Sequence, residues 1–182
     1  MELANDKYRV SIKIDDTPFT LGSADNSIEY DVVLNPSDYD RDDFYKAFCI
    51  EVQSSDRSYR IALVGSYNIY DSHCAVLECD MLTVLQDETI SQIDLSVGKL
   101  IRKFNIEGGF LNIELYRVSD KYIVLGELDV IGLNDRFEKE WEFSGKDIFT
   151  RMEIEEDRIK LWDWEKCFYE IDFQGNLIDS RT

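Results

Sequence analysis

HCAVLECDMLTVL (residues 73–85) and KYIVLGELDVIGL (residues 121–133) can be laid on each other without a gap. Val76/Val124, Leu77/Leu125 and Leu85/Leu133 coincide, and in both stretches short apolar runs are broken by one or two polar residues. That is the pattern of half-buried strands, in which successive side chains point to opposite faces. The same offset of 48 residues pairs Asp87/Asp135, Ser96/Ser144, Ile106/Ile154 and Glu107/Glu155, and keeps apolar character at Ile93/Trp141, Leu95/Phe143, Ile101/Phe149, Leu111/Ile159, Ile113/Leu161 and Tyr116/Trp164. The sequence therefore predicts an internal duplication: similar β-meanders at 73–120 and 121–174, behind N-terminal strands at 1–72.

Outward from these stretches the same alternation recurs. Strands are predicted at 8–14, 28–34, 44–53, 59–64, 75–85, 90–95, 100–106, 110–116, 122–133, 137–143, 148–154, 158–164 and 168–173, with turn signals at 54–56, 107–109, 155–157 and 174–176. The best helix candidate is Ser37–Phe48, which follows Asn35-Pro36 and has acids in its first turn, although its apolar spacing also suits a strand. The expected fold class is mainly β: antiparallel meanders forming a sandwich or an open, propeller-like sheet. At 182 residues the chain is expected to be a single domain.

Charge then narrows the function. Asp and Glu number 38 against 20 Lys and Arg, a formal net charge of −18, yet hydrophobic residues make up 44% and aromatics 13%, so the acidity belongs to a folded surface. Such a surface is repelled by nucleic acid and anionic lipid and steers basic proteins towards itself. No membrane span and no basic, apolar leader are evident, and the four cysteines lack the setting of a disulfide framework. A cytoplasmic location is expected.

No catalytic signature emerges. Asp38, Asp40 and Asp42 occupy the first, third and fifth places of a calcium loop, but Asp43 stands where a turn glycine belongs and Cys49 where a closing glutamate belongs. His73, Cys74 and Cys79 form a loose cluster of zinc-type donors, for which buried cysteines beside a surface histidine are the simpler expectation. With His73 as the one histidine, and with no nucleophile elbow, phosphate loop or dinucleotide fingerprint, neither a catalytic residue nor a cofactor or metal is assigned. The competing classes are a hydrolase using paired carboxylates with a divalent ion, and a structural or oligomeric β module.

What survives is surface recognition. Asp15, Asp16, Asp25, Glu29, Asp31, Asp38, Asp40, Asp42 and Asp43 lie among Tyr30, Tyr39 and Tyr45, the ingredients of an interface for a basic protein. The residues expected to make contact are Asp38, Tyr39, Asp40, Asp42 and Asp43. A second face, Glu155, Glu156 and Asp157, belongs to a group that also takes in Glu153, Asp163 and Glu165 around Trp162 and Trp164. WEFSGKDIF (141–149) and IEEDRIKLWDWEKCFYEIDFQGNLI (154–178) resemble segments of bacterial immunity-type and uncharacterised proteins that accompany secreted toxins. The resemblance covers about a third of the chain, brings no site residues with it, and implies a partner-binding role, most naturally inhibition of a cognate basic toxin such as a nuclease by covering its active site.

Overall fold

The computed structural model describes residues 1–14, 19–65, 73–86, 88–106 and 111–181. Asp15, Asp16 and Asp87, the turn expected at 107–109 and the start of the strand expected at 110 lie outside them. The described residues form seventeen strands and no helix. No helix among them is long and apolar enough to cross a membrane.

Contacts divide the chain into two compact units, residues 1–105 and 106–182. Length allows one core, but each unit buries a pair of sheets around a core of its own.

In the first unit, β1 (Glu2–Ala4), β2 (Tyr8–Ile14), β3 (Val32–Leu34), β4 (Lys46–Ser54) and β5 (Ser58–Gly65) make a sheet of order β1-β2-β4-β5-β3. All its pairings are antiparallel except that of β3 with β5. The second sheet is a plain meander of β6 (Ala75–Glu78), β7 (Met81–Gln86), β8 (Thr89–Asp94) and β9 (Lys99–Asn105). Val10, Ile12, Ile50, Val52, Ile61 and Leu63 of the first sheet pack with Leu82, Val84, Ile93 and Leu95 of the second. Each contributes about 2 kcal/mol of transfer free energy on burial.

The second unit repeats the meander twice. One sheet consists of β10 (Asn112–Val118), β11 (Lys121–Gly126), β12 (Asp129–Leu133) and β13 (Lys139–Ser144); the other of β14 (Phe149–Ile154), β15 (Arg158–Asp163), β16 (Phe168–Asp172) and β17 (Leu177–Arg181). Ile123, Leu125 and Val130 from one sheet and Ile159, Leu161, Tyr169 and Ile171 from the other form its core. Four-stranded antiparallel sheets in succession, packed in pairs, answer to the sandwich or propeller-like class expected.

The stretches at 75–85 and 122–133, read as single strands, are hairpins. Cys79 takes a left-handed φ of 50° at the first turn, a place where a glycine or asparagine would have announced it. Glu127-Leu128 makes the second turn without any turn-forming residue. The hairpins also change the period of the repeat. By order within the sheet, β7 corresponds to β11 and then to β15, steps of 40 residues (Met81 to Lys121) and 37 (Lys121 to Arg158). A shift of 48 instead sets the first strand of one sheet on the second of the next, since it adds one strand and its turn to the true step. Alternating strands of similar length match in that register too, and here it carries more identities than the structural step does. At a step of 40, Asp80/Asp120, Val84/Val124 and Leu85/Leu125 are identical.

The Ser37–Phe48 segment is a loop running into β4, with no helix. Of the strand expected at 28–34 only Val32–Leu34 forms. β1 and β17, short strands at sheet edges, had no counterpart in the sequence pattern.

One buried group makes the second unit sensitive to alkali. Burial pushes the Tyr169 phenol up to about 12, and the neighbouring Asp163 carboxylate adds to the shift. In the unfolded chain a tyrosine ionises near 10. The contribution is therefore complete below about pH 10 and is lost as the pH rises through about 12. Urea midpoints measured at pH 9 and 11.5 should fall further for the native chain than for Tyr169→Phe; equal falls would show that the phenol is not held neutral by the fold.

Candidate functional site

The loop between β3 and β4 is built by its own polar residues. Asn35 Oδ1 accepts the Tyr39 N–H at 3.1 Å while its Nδ2 donates to the Tyr39 carbonyl at 2.9 Å. The Asp38 N–H reaches the Asn35 carbonyl at 3.3 Å, and Asp38 itself has a φ of 55°. An asparagine that clamps a turn in this way competes with the helix it might otherwise cap. Further along, the Asp40 N–H donates to Asp43 Oδ2 at 2.7 Å and the Asp43 N–H to the Asp40 carbonyl at 3.1 Å.

These turns leave the carboxylates facing solvent. The Asp38 side chain is 92% exposed and lies 3.8 Å from Lys103 Nζ, whose ammonium also donates to the Pro36 carbonyl. Asp40, Asp42 and Asp43 are exposed and, among the described residues, none forms an ion pair. Four carboxylates thus flank the one guanidinium of Arg41 along the chain. Beneath them runs a row of half-buried rings: Tyr39 to Tyr45 at 5.8 Å, Tyr45 to Phe19 at 6.4 Å and Phe19 to Tyr30 at 5.6 Å between centroids. The Tyr45 hydroxyl accepts the Leu21 N–H at 2.9 Å and ties the row to the segment after β2.

Phe44 completes this surface, and sequence reasoning placed it elsewhere. It was assigned to the start of a strand, but β4 begins at Lys46 and the Phe44 ring stands 76% exposed beside Asp42 and Asp43. An exposed aromatic residue that directly follows a run of acids in the chain has the composition of an interface anchor. The signal available in sequence was the acid run itself, which carries the loop as far as Asp43.

The alternative face is of a different kind. Glu155, Glu156 and Asp157 form the β14–β15 turn, closed by the Glu155 N–H to the Arg158 carbonyl at 2.9 Å. Lys160 Nζ meets Glu155 Oε1 at 2.5 Å, and the Arg158 guanidinium grips Asp157 with both oxygens at 2.8 and 3.0 Å. The hydrogen bond from Arg158 holds the Asp157 carboxyl below its usual range. Arg158 also bonds Glu170, and Arg151 lies 4.8 Å over the Trp162 ring. Of the three, only Glu156 is left without a cation among the described residues, so this turn presents mixed and largely self-paired charge. Asp163 leaves the group altogether, being 2% exposed.

The zinc-type cluster does not assemble. His73 and Cys79 are exposed, Cys74 is buried with its Sγ 3.9 Å from the Met1 sulfur, and among the described residues no three His, Cys, Asp or Glu side chains are placed to hold a metal ion. The expectation of buried cysteines holds for Cys49, Cys74 and Cys167; Cys79 faces solvent because it occupies the hairpin turn.

No protein-family model matches the sequence, and no curated protein matches it. Solved structures do. BamB from Moraxella catarrhalis is 12% identical with a TM-score of 0.53, over 76% of this chain and 46% of that one. The computationally designed Ika8 protein is 12% identical with a TM-score of 0.53, over 81% and 52%. KlHsv2 with loop 6CD replaced by a Gly-Ser linker is 10% identical with a TM-score of 0.50, over 75% and 48%. The chain spans about half the length of these structures, and at such identities the likeness is one of fold alone.

The WEFSGKDIF segment, which carried the resemblance to immunity-type proteins, serves the fold. Trp141 Nε1 donates to the Phe173 carbonyl at 2.9 Å, and Phe149 is buried against Tyr169 with ring centroids 6.1 Å apart. The Lys146 N–H donates to the Tyr169 hydroxyl at 3.1 Å. These residues secure the passage from β13 to β14.

Proposed function

We propose that this chain is an acidic protein-binding module that docks a basic protein on the loop at residues 38–44. In its specific form, it is a cytoplasmic immunity protein that covers the active site of a cognate basic toxin, of which nucleases are the natural class. The observation that supports the reading is the contrast between the two acidic faces: carboxylates around exposed Phe44 are almost unneutralised, whereas those at 155–157 are occupied by Arg158 and Lys160. An enzyme that grips phosphates presents cations, and an acidic inhibitor can fill the same groove. The cytoplasmic placement rests on the sequence, whose four cysteines lack the setting of a disulfide framework.

The test is co-expression with the product of the adjacent gene, followed by affinity measurements on the double variant Asp40→Lys/Asp42→Lys. Both residues are exposed, so the thermal midpoint should stay within a degree or two of the native value. Affinity should fall by about tenfold or more at low salt, and the difference should shrink as salt screens the charges. An unchanged affinity would move the interface off this loop, and a neighbour that does not bind the native protein at all would end the immunity reading.

A further inference from the structure

We infer that the partner presents an extended basic segment, which adds as a strand to the open edge of β3 and seats an apolar side chain in the groove beside it. The inference rests on the reading of the acidic loop given above and specifies what that loop receives.

Three observations converge on it. β3 ends the order of its sheet and, among the described residues, pairs only with β5, so its outer edge is the kind of surface on which an added strand forms. Val33, the middle residue of β3, is 47% exposed and lines a groove of about 490 Å³ together with Phe19, Ile28 and Tyr30. Val32, its neighbour, packs on the core, so Val33 points away from the core, and alternate side chains of an added strand would share its face. Lastly, the only charged residue among the described residues lining the groove is Glu29, and the row Tyr30, Phe19, Tyr45, Tyr39 leads from the groove to the loop that carries Asp38, Asp40, Asp42 and Asp43. Charge complementarity thus selects a cationic occupant, the groove an apolar side chain within it, and the open edge an extended backbone.

Two nonapeptides separate these contributions: Lys-Ser-Lys-Val-Lys-Val-Lys-Ser-Lys, and the same peptide with serine in place of both valines. In isothermal titration of the full chain at low salt, the valine peptide should bind about tenfold tighter than the serine peptide. Ile28→Ser/Val33→Ser should abolish that advantage and leave the serine peptide unchanged, while Asp40→Lys/Asp42→Lys should weaken both alike. N-methylation at alternate residues should cost about tenfold in one register and little in the other, because only one set of amides faces β3. Equal affinities for the two peptides would overturn the groove, and indifference to N-methylation in both registers would overturn the added strand; either outcome leaves the acidic loop as the proposed site. Failure of both peptides to bind would overturn this inference and remove support from the loop together.

Discussion

Gly132→Ala is expected to lower the unfolding free energy by about 2–3 kcal/mol, the cost of forcing a methyl group into a closed space. Gly132 of β12 lies directly opposite Trp141 of β13. A Cβ added there would come 2.7 Å from the indole Cζ2 and closer still to Cε2 and Nε1. The ring is restrained on two sides. Its N–H is held by the Phe173 carbonyl at 2.9 Å, and on another side it covers Gly175, where a Cβ would again lie 2.7 Å from the ring. Gly175 has a φ of 79°, so that position requires glycine for its backbone as well. Urea unfolding followed by circular dichroism measures the loss. In a Trp141→Phe background the smaller ring leaves room, and the cost of Gly132→Ala should at least halve, a non-additivity that marks the contact itself. A variant within 0.5 kcal/mol of the native chain would mean that the indole is not clamped.

Asp163→Ala should cost about 3 kcal/mol, because it strands two buried donors rather than removing one contact. Asp163 Oδ1 accepts the Cys167 N–H at 2.8 Å and Oδ2 accepts the Tyr169 hydroxyl at 2.9 Å, both away from solvent. The backbone of the same residue closes the β15–β16 turn, accepting from Lys166 at 3.0 Å and donating to Cys167 at 3.1 Å. Asp163→Asn retains a carbonyl acceptor for one of the two donors and should lose about 1 kcal/mol, and Tyr169→Phe a similar amount. If Asp163→Ala proves no more costly than Tyr169→Phe, the carboxylate does not organise the turn. The same residue shows why composition misleads at close range: in sequence Asp163 is one acid among several around two tryptophans, and only its burial distinguishes it.

The sequence by itself determined that this chain is β throughout its described residues, and in most places where its strands run. Alternation of apolar and polar residues along YRVSIKI or RIKLWD is a local property, dictated by the opposite-facing side chains of an extended chain with one buried face. It also determined that the surface is strongly negative, since charge is additive along the chain. A turn at a left-handed non-glycine residue such as Cys79, or one made by Glu127-Leu128, carries no comparable mark, and so two hairpins were hidden and the repeat appeared at 48 residues in place of 40 and 37. Which acids remain available was likewise decided only by tertiary structure. Asp157 and Glu155 meet Arg158 and Lys160 through the pairing of the turn they occupy, Asp163 is buried with Cys167 and Tyr169 bonded to its carboxylate, and Phe44 is exposed in the loop before β4 begins. Local pattern sets the face a side chain takes; whether that face meets water, a cation or a packed ring depends on how the turns and strands around it close.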